Sequence, residues 1–206
     1  MSKVFDLFII GGGINGAGIT RDAAGRGLSV CLADKGEIGG ATSSWSTKLI
    51  HGGLRYLENY EFKLVRESLI EREIVYKIAK PISKPIPFII PYVDKIRPAW
   101  LIKIGLFLYD NLGGKSNIPK SKTLDLKKKF PNILKEKYKT GFQYFDIQID
   151  DKKLTKLNVK DAKRNKAKIL EYNKVKKAEI IDNEWVISLQ KKKKIKSKVL
   201  INASGP

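Results

Sequence analysis

Phe5-Asp-Leu-Phe-Ile-Ile-Gly-Gly-Gly-Ile-Asn-Gly-Ala-Gly18 begins as an apolar, β-prone run and ends in glycines. Residues 4–10, apolar apart from Asp6, suit a strand buried on both faces, and they lead without a gap into Gly11-x-Gly13-x-x-Gly16. Each glycine has a physical task. Gly11 lets the strand turn sharply, Gly13 lets the backbone approach a pyrophosphate, and Gly16 lets the following helix lie close to its strand. That helix, read as Ile14 to Arg26 with Ile14 and Asn15 at its start, aims its free N–H groups and positive dipole end at the phosphates. Gly25 and Gly27 close it, Leu28 to Ala33 form a second apolar strand, and Asp34 follows Gly16 after 17 intervening residues. A carboxylate there can accept hydrogen bonds from an adenosine ribose, and it disfavours a ribose carrying a 2′-phosphate. The expected class is α/β, a Rossmann-like βαβ fold. A βαβ unit that binds nothing is the competing reading, and the strand–helix–strand–acid context argues against it.

The 206 residues allow one domain or a domain and a half, and 42% hydrophobic content permits a core. No apolar run reaches the ~18 residues of a membrane-spanning helix, and the first residues read as a strand rather than as a basic and apolar leader. The single cysteine, Cys31, falls mid-strand where a small apolar residue is expected, so it reads as a core thiol in a reducing cytoplasm. No metal site is expected. The net charge of +20 is uneven: residues 1–110 carry 15 Lys+Arg against 11 Asp+Glu, residues 111–206 carry 26 against 10. Such a balance can attract nucleic acid or an anionic membrane. The surplus is mostly lysine, in Lys127–Lys129, Lys176–Lys177 and Lys191–Lys194, without interleaved aromatics and arginines, so solvated loops and strand ends are the expectation and no nucleic acid is expected.

Beyond Asp34, small hydroxyl and glycine residues crowd between Gly36 and Glu58. Thr42, Ser43 and Ser44 can cap a helix and offer N–H and hydroxyl groups to a phosphate or a ribityl chain. A merely flexible loop would not normally hold Leu49, Ile50, Leu54, Tyr56 and Leu57 among its glycines. Taken together, IIGGGINGAGITRDAAGRGLSV (residues 9–30) and ATSSWSTKLIHGGLRYLE (residues 41–58) resemble the N-terminal half of the FAD-dependent, quinone-linked glycerol-3-phosphate dehydrogenases. Tyr60 to Leu69, Arg97 to Asp110, Asp150-Asp151 and Asn202-Ala-Ser-Gly-Pro206 agree. The KLIHGGLRYLE segment is far more specific than the glycine motif. The resemblance implies FAD rather than NAD, a β-meander inserted in the FAD-binding fold, and part of a substrate domain. It implies FAD contacts at Lys48, Leu49 and the Thr42–Ser44 loop, the final turn with Gly205 beside the pyrophosphate, and Val175 against the adenine. His51, Arg55 and Tyr56 by the same resemblance line the flavin and substrate pocket. The implied reaction is oxidation of sn-glycerol 3-phosphate to dihydroxyacetone phosphate, with electrons passed to a quinone at the inner face of the cytoplasmic membrane.

These residue types suit that chemistry. Oxidising a secondary alcohol needs a hydride acceptor, a group taking the hydroxyl proton, and cations for the phosphate. His51 is the only histidine, and histidine is the side chain whose ordinary titration suits proton transfer near neutrality. Arg55 lies one turn on if His51 begins a helix, and an arginine fork binds phosphate bidentately, with Tyr56 adding a donor. A packed histidine between glycines is the competing reading. A flavin oxidase of the amino-acid-oxidase type and an inactive basic fragment are the competing functions.

The expected domains are 1–80, an FAD-binding βαβ unit with its flavin loop; 81–149, a partial substrate domain; and 150–206, the return to the FAD-binding domain. Along the chain, residues 61–79 read as a helix with Phe62, Val65, Leu69 and Tyr76 inward and a Glu73–Lys77 pair. Pro87 to Val93 reads as an edge or bulged strand, and 99–109 as a helix buried against further parts of the fold, with a membrane surface as the alternative. Asp125 to Tyr138 reads as a weak basic helix, Gly141 to Ile149 as a half-buried strand with few partners. Asp150-Asp151 caps a helix, Lys152 to Lys166, whose inner face is Leu154, Leu157 and Ala162. Strands follow near 168–172, 175–181 and 185–190, with a buried strand at 197–202. Members of the resembled family are more than twice this long, so the expectation is a truncated N-terminal half with little turnover unless a separately encoded C-terminal half docks onto it.

Overall fold

The strand and helix expected at the start are present as β1 (Val4–Ile10) and α1 (Ile14–Gly25), followed by β2 (Val30–Ala33). The computed structural model describes residues 3–41, 45–93, 96–131, 137–190 and 193–205. Thr42, Ser43 and Ser44 lie outside the described residues. Chain contacts divide the protein into two units, Met1–Lys48 with Asp150–Pro206, and Leu49–Ile149.

In the first unit a six-stranded sheet has the order β7-β2-β1-β10-β9-β8, where β7 is Lys168–Leu170, β8 Val175–Ile181, β9 Glu184–Leu189 and β10 Lys194–Asn202. The first four strands in that order are parallel, with Phe8 opposite both Cys31 and Leu200, and β8 and β9 complete an antiparallel meander. Both faces of β1 and β2 are covered, as their unbroken apolar runs require. Leu7, Ile9, Val30 and Leu32 pack with Ala17, Ala23 and Ala24 of α1 and with Val159 and Ala162 of α5 (Asp151–Arg164). Phe5, Phe8, Cys31 and Ala33 pack on the other side with Ile187, Leu189 and Ile195 of the meander. Burying a side chain such as Phe8 or Leu32 contributes about 1.5–3 kcal/mol each. Cys31 sits in this core, and burial pushes its thiol up to about 12, as an inert structural thiol requires.

Asp6, the polar exception in β1, accepts from the Ser29 amide at 2.9 Å and from Lys198 at 2.7 Å. The Lys198 and Ser29 hydrogen bonds hold its carboxyl well below the usual range and tie β1 to both of its neighbours.

The second unit is an antiparallel sheet centred on β6 (Thr140–Ile149). One side of β6 carries β4 (Ser83–Pro91) along nine positions, and the other carries β3 (Leu49–Ile50) and β5 (Lys122–Asp125). The expectation that Gly141–Ile149 has few partners is therefore corrected. β4 is the edge strand, and Pro85, Pro87 and Pro91 share one parity, which leaves the ladder to the even residues and strips N–H donors from the free edge. Helices α2 (Phe62–Ile78) and α3 (Ala99–Asn111) belong to this unit, with Val65, Leu69 and Tyr109 forming a small core. Leu106 and Tyr109 of α3 are buried, while Trp100 and Phe107 are 62% and 64% exposed.

Five other expectations change. The basic helix across 125–138 is β5 plus the single turn α4 (Leu126–Lys129): a non-local ladder with β6 overrides the weak helical propensity, and Asn132–Glu136 lie outside the described residues. On α5 the buried residues are Thr155, Val159 and Ala162, and Leu157 is 46% exposed, because a residue two positions from Thr155 falls on the opposite side of a 3.6-residue turn. On β10, Ile195 and Ser197 are buried but Val199 is 52% exposed, so its second half is open. Glu73 accepts from Ser116 at 2.6 Å instead of pairing with Lys77. Of the residues expected to face inward on α2, Phe62 is 41% exposed.

Candidate functional site

The loops after β1, β2, β7 and β10 meet at the carboxyl ends of the parallel strands, where open α/β sheets bind ligands. Gly11 N–H donates to Ala33 O at 2.8 Å, Ala203 N–H to Ile10 O at 2.8 Å, and Asp34 N–H to Leu170 O at 3.0 Å. Gly11 adopts φ +102°, and a Cβ there would lie 2.4 Å from Ala203 O. A Cβ on Gly16 would lie 1.9 Å from Gly11 O, so α1 packs against the turn as only glycine allows. Gly13, at φ −71°, is the N-cap of α1 and makes no side-chain cap bond, while Ile14 and Asn15 in the first turn are exposed. Gly13 thus adds no side-chain cap of its own to the helix N-terminus, the end of a helix that receives an anion.

Asp34 holds this turn in shape. Its carboxylate accepts from the Gly12 amide at 2.6 Å and from the Gly36 amide at 2.7 Å, one bond per oxygen, which leaves lone pairs on both for ribose hydroxyls. Asn173 N–H donates to Asp34 O at 2.7 Å, which brings the start of β8, and Val175 two residues on, to the same end of the sheet. Val175 itself packs against the core. Gly205 is exposed at φ +79°, directly after the Ala203-Ser204 segment that abuts Gly11. The N-terminus of α1, the glycine turn and the Asp34 carboxylate fit a dinucleotide.

Lys48 has φ +56°, donates its amide N–H to Ser46 Oγ at 3.0 Å, and pairs its ammonium with Asp151 at 3.0 Å. Burial works to raise the Asp151 carboxyl, but Ser46 and Lys48 outweigh it and leave the group below its ordinary value. Asp150 accepts from the Lys153 amide at 2.9 Å as the N-cap of α5. The paired carboxylates are thus a cap and an ion-pair partner.

The other candidate residues lie in the second unit. Leu49 is half-buried in β3 opposite Gln148. His51 does not begin a helix. Gly53 takes φ +73°, and a 3-10 helix, Leu54–Asn59, starts only after it, so the His51–Arg55 spacing is not one helical turn. His51, Arg55 and Tyr56 are exposed on this one segment. Tyr56 N–H donates to Gly53 O at 2.8 Å, and its ring covers Gly53 closely enough that a Cβ there would lie 2.7 Å from it. Arg97 grips the Glu58 carboxylate with two nitrogens, holds it below its usual range, and leaves Arg55 without an ion-pair partner among the described residues.

Behind the His51 turn lies a network that sequence reasoning missed. Arg72 on α2 and Asp146 on β6 are each 4% exposed and pair at 2.8 Å, and Tyr109 donates to the same Asp146 oxygen at 2.7 Å. Gly52 N–H donates to Tyr109 Oη at 2.7 Å. Burial, reinforced by the Asp146 charge, pushes the Tyr109 phenol far above its ordinary value, so the hydroxyl keeps its proton. The available signal was an aspartate inside a strand, a residue type that strands avoid.

A family profile described as FAD dependent oxidoreductase (DAO) matches residues 6–206. The chain is 46% identical, over 98% of its length, to D-erythritol 1-phosphate dehydrogenase of Brucella abortus. It is 44% identical, again over 98% of its length, to the aerobic glycerol-3-phosphate dehydrogenase of Escherichia coli. It spans 41% of each of these relatives' lengths. Among solved structures it resembles the glycerol-3-phosphate dehydrogenase from Bacillus halodurans complexed with FAD, at 28% identity and a TM-score of 0.69, covering 99% of this chain and 35% of that one. It also resembles the L-alpha-glycerophosphate oxidase from Mycoplasma pneumoniae with FAD bound, at a TM-score of 0.71 over 98% of this chain and 54% of that one; at 16% identity this is a likeness of fold alone. With the glycine turn, the aspartate that follows β2 and the parallel sheet in place, a match over residues 6–206 means that the chain belongs to the FAD-dependent oxidoreductase family.

Proposed function

We propose that these residues form the FAD-binding part of a dehydrogenase that oxidises the secondary alcohol of sn-glycerol 3-phosphate to dihydroxyacetone phosphate and passes the electrons to a quinone. The observation that carries the substrate reading is the exposed segment from His51 to Tyr56, with an arginine that has no ion-pair partner among the described residues beside a histidine and a tyrosine. The relatives named as dehydrogenases of glycerol 3-phosphate and erythritol 1-phosphate support a phosphorylated polyol as the substrate class.

FAD, when bound, supplies the two-electron acceptor. Gly13, Ile14, Asn15 and Gly16, at the start of α1, border its pyrophosphate, Gly11 and Gly13 leave it room, and Gly205 lies beside it. Asp34 accepts from the ribose hydroxyls, and Val175 contacts the adenine. Lys48, Leu49 and the Thr42–Ser44 loop take the remaining contacts. Arg55 grips the substrate phosphate with a bidentate fork, Tyr56 adds a donor, and His51 takes the hydroxyl proton as the C–H bond breaks. Met1–Lys48 with Asp150–Pro206 serves as the cofactor domain, and Leu49–Ile149 as part of a substrate domain that a cytoplasmic enzyme can present to a membrane-borne quinone. No described helix is long and apolar enough to cross a membrane.

The test is to load the purified protein with FAD and add candidate substrates without oxygen. Bleaching of the flavin absorbance by glycerol 3-phosphate or erythritol 1-phosphate is expected, with glycine and proline inert. Bleaching by the amino acids alone rejects the assignment. Arg55→Ala should chiefly raise the substrate concentration needed for half-maximal bleaching, and His51→Ala should lower its limiting rate.

A further inference from the structure

Asp146, in the interior of β6, gathers donors from three elements onto one carboxylate oxygen. Arg72 of α2 and Tyr109 of α3 reach it at 2.8 and 2.7 Å, and the Gly52 amide lies 3.4 Å away. Arg72 also donates to Phe145 O at 3.1 Å and lies over the Tyr109 ring at 5.3 Å, but its Nε has no hydrogen-bond partner among the described residues. A buried ion pair carries a desolvation penalty that an apolar trio of similar volume avoids, so gain in stability is a poor account of it. What the network holds is one peptide group, that between His51 and Gly52. The fit is tight: a Cβ on Gly52 would lie 2.2 Å from Leu69 Cδ2 and 2.9 Å from Tyr109 Oη.

Resting on the reading of His51 as the proton acceptor, we propose that Tyr109, aligned by the Arg72–Asp146 pair, is the positioning residue for His51. The Tyr109 hydroxyl accepts from the Gly52 N–H and donates to Asp146 at once, a two-way bond that requires a neutral phenol. It pins the residue that follows His51 and so limits where the imidazole projects. Phenylalanine would keep the ring edge-on to Tyr144, 5.9 Å between centroids, and lose both bonds.

Because His51 is the only histidine, its imidazole gives a single set of resonances in the 206-residue chain loaded with FAD, and no turnover is needed to read it. Tyr109→Phe should shift and broaden those resonances and speed Gly52 amide exchange about tenfold, the size of one lost hydrogen bond. Tyr144→Phe, which deletes a hydroxyl from the adjoining ring, should leave both unchanged. Unaltered His51 resonances in folded Tyr109→Phe overturn the proposal. Should that variant fail to fold, the unsubstituted protein decides: a Gly52 amide that exchanges as freely as an unstructured one overturns the proposal, and a protected one supports it. The separate test of His51 by flavin bleaching tells a wrong positioning residue from a wrong proton acceptor.

Discussion

Gly13 and Gly16 stand three residues apart in the same motif, yet they are glycine for different reasons, and substitutions should separate them. Gly13 has an extended φ of −71° that any residue adopts, so Gly13→Val should fold normally and lose FAD binding by filling the space before the helix N-terminus. Gly16→Ala puts a methyl group 1.9 Å from Gly11 O, so α1 must move, at a cost of about 1–3 kcal/mol, or roughly 2–4 °C in Tm per kcal/mol. Thermal scans beside flavin titrations check both: a Gly13→Val protein that still binds FAD sinks the pyrophosphate assignment. In the second unit, Asp146→Ala leaves the buried Arg72 guanidinium with only the Glu73 carboxylate, 3.6 Å away, which should cost about 3 kcal/mol in urea unfolding. Asp34 was legible from spacing alone. The Arg72–Asp146–Tyr109 network was not, since its members are 37 to 74 positions apart and each looks ordinary in its own element.

At the scale of elements, α5 couples the acidic pair before it to the loop after β2. Asp150 caps it, and Asp150→Ala should cost about 1 kcal/mol of stability. Lys152 and Lys156 on its first turns hold the Glu37 carboxylate at 2.8 and 2.5 Å and depress it to about 2. A depressed carboxyl contributes stability that is fully present above its unfolded value, 4.5, and is lost as pH falls through the folded one. The protein should therefore lose stability between about pH 4.5 and 2. Glu37→Gln should flatten that part of the profile; an unchanged acid limb in chemical denaturation argues against the link. Periodicity located α2, α3 and α5, but not which face each buries: Leu157 looks like a core residue in the sequence and is exposed, because the packed row is set by Thr155, Val159 and Ala162.

Over the whole molecule, the net charge of +20 should draw in an anionic dinucleotide, so FAD association should slow as salt rises past physiological strength; stopped-flow rates that ignore salt would show that the lysines are too dispersed to steer. The βαβ unit, its glycines, Asp34, the cap at Asp150, the strands of the meander and the family were all legible along the chain. Each rests on local rules: period, turn chemistry, and the distance from a glycine turn to an acid at the end of the next strand. Tertiary structure alone decided that β6 is a central strand with partners on both sides, that 122–125 is a strand rather than part of a basic helix, and that His51 stands in a glycine turn rather than on a helix. The physical reason is common to all three: these outcomes depend on ladders and buried hydrogen bonds between residues distant in sequence, whose energies outweigh propensities that are each worth less than about 1 kcal/mol.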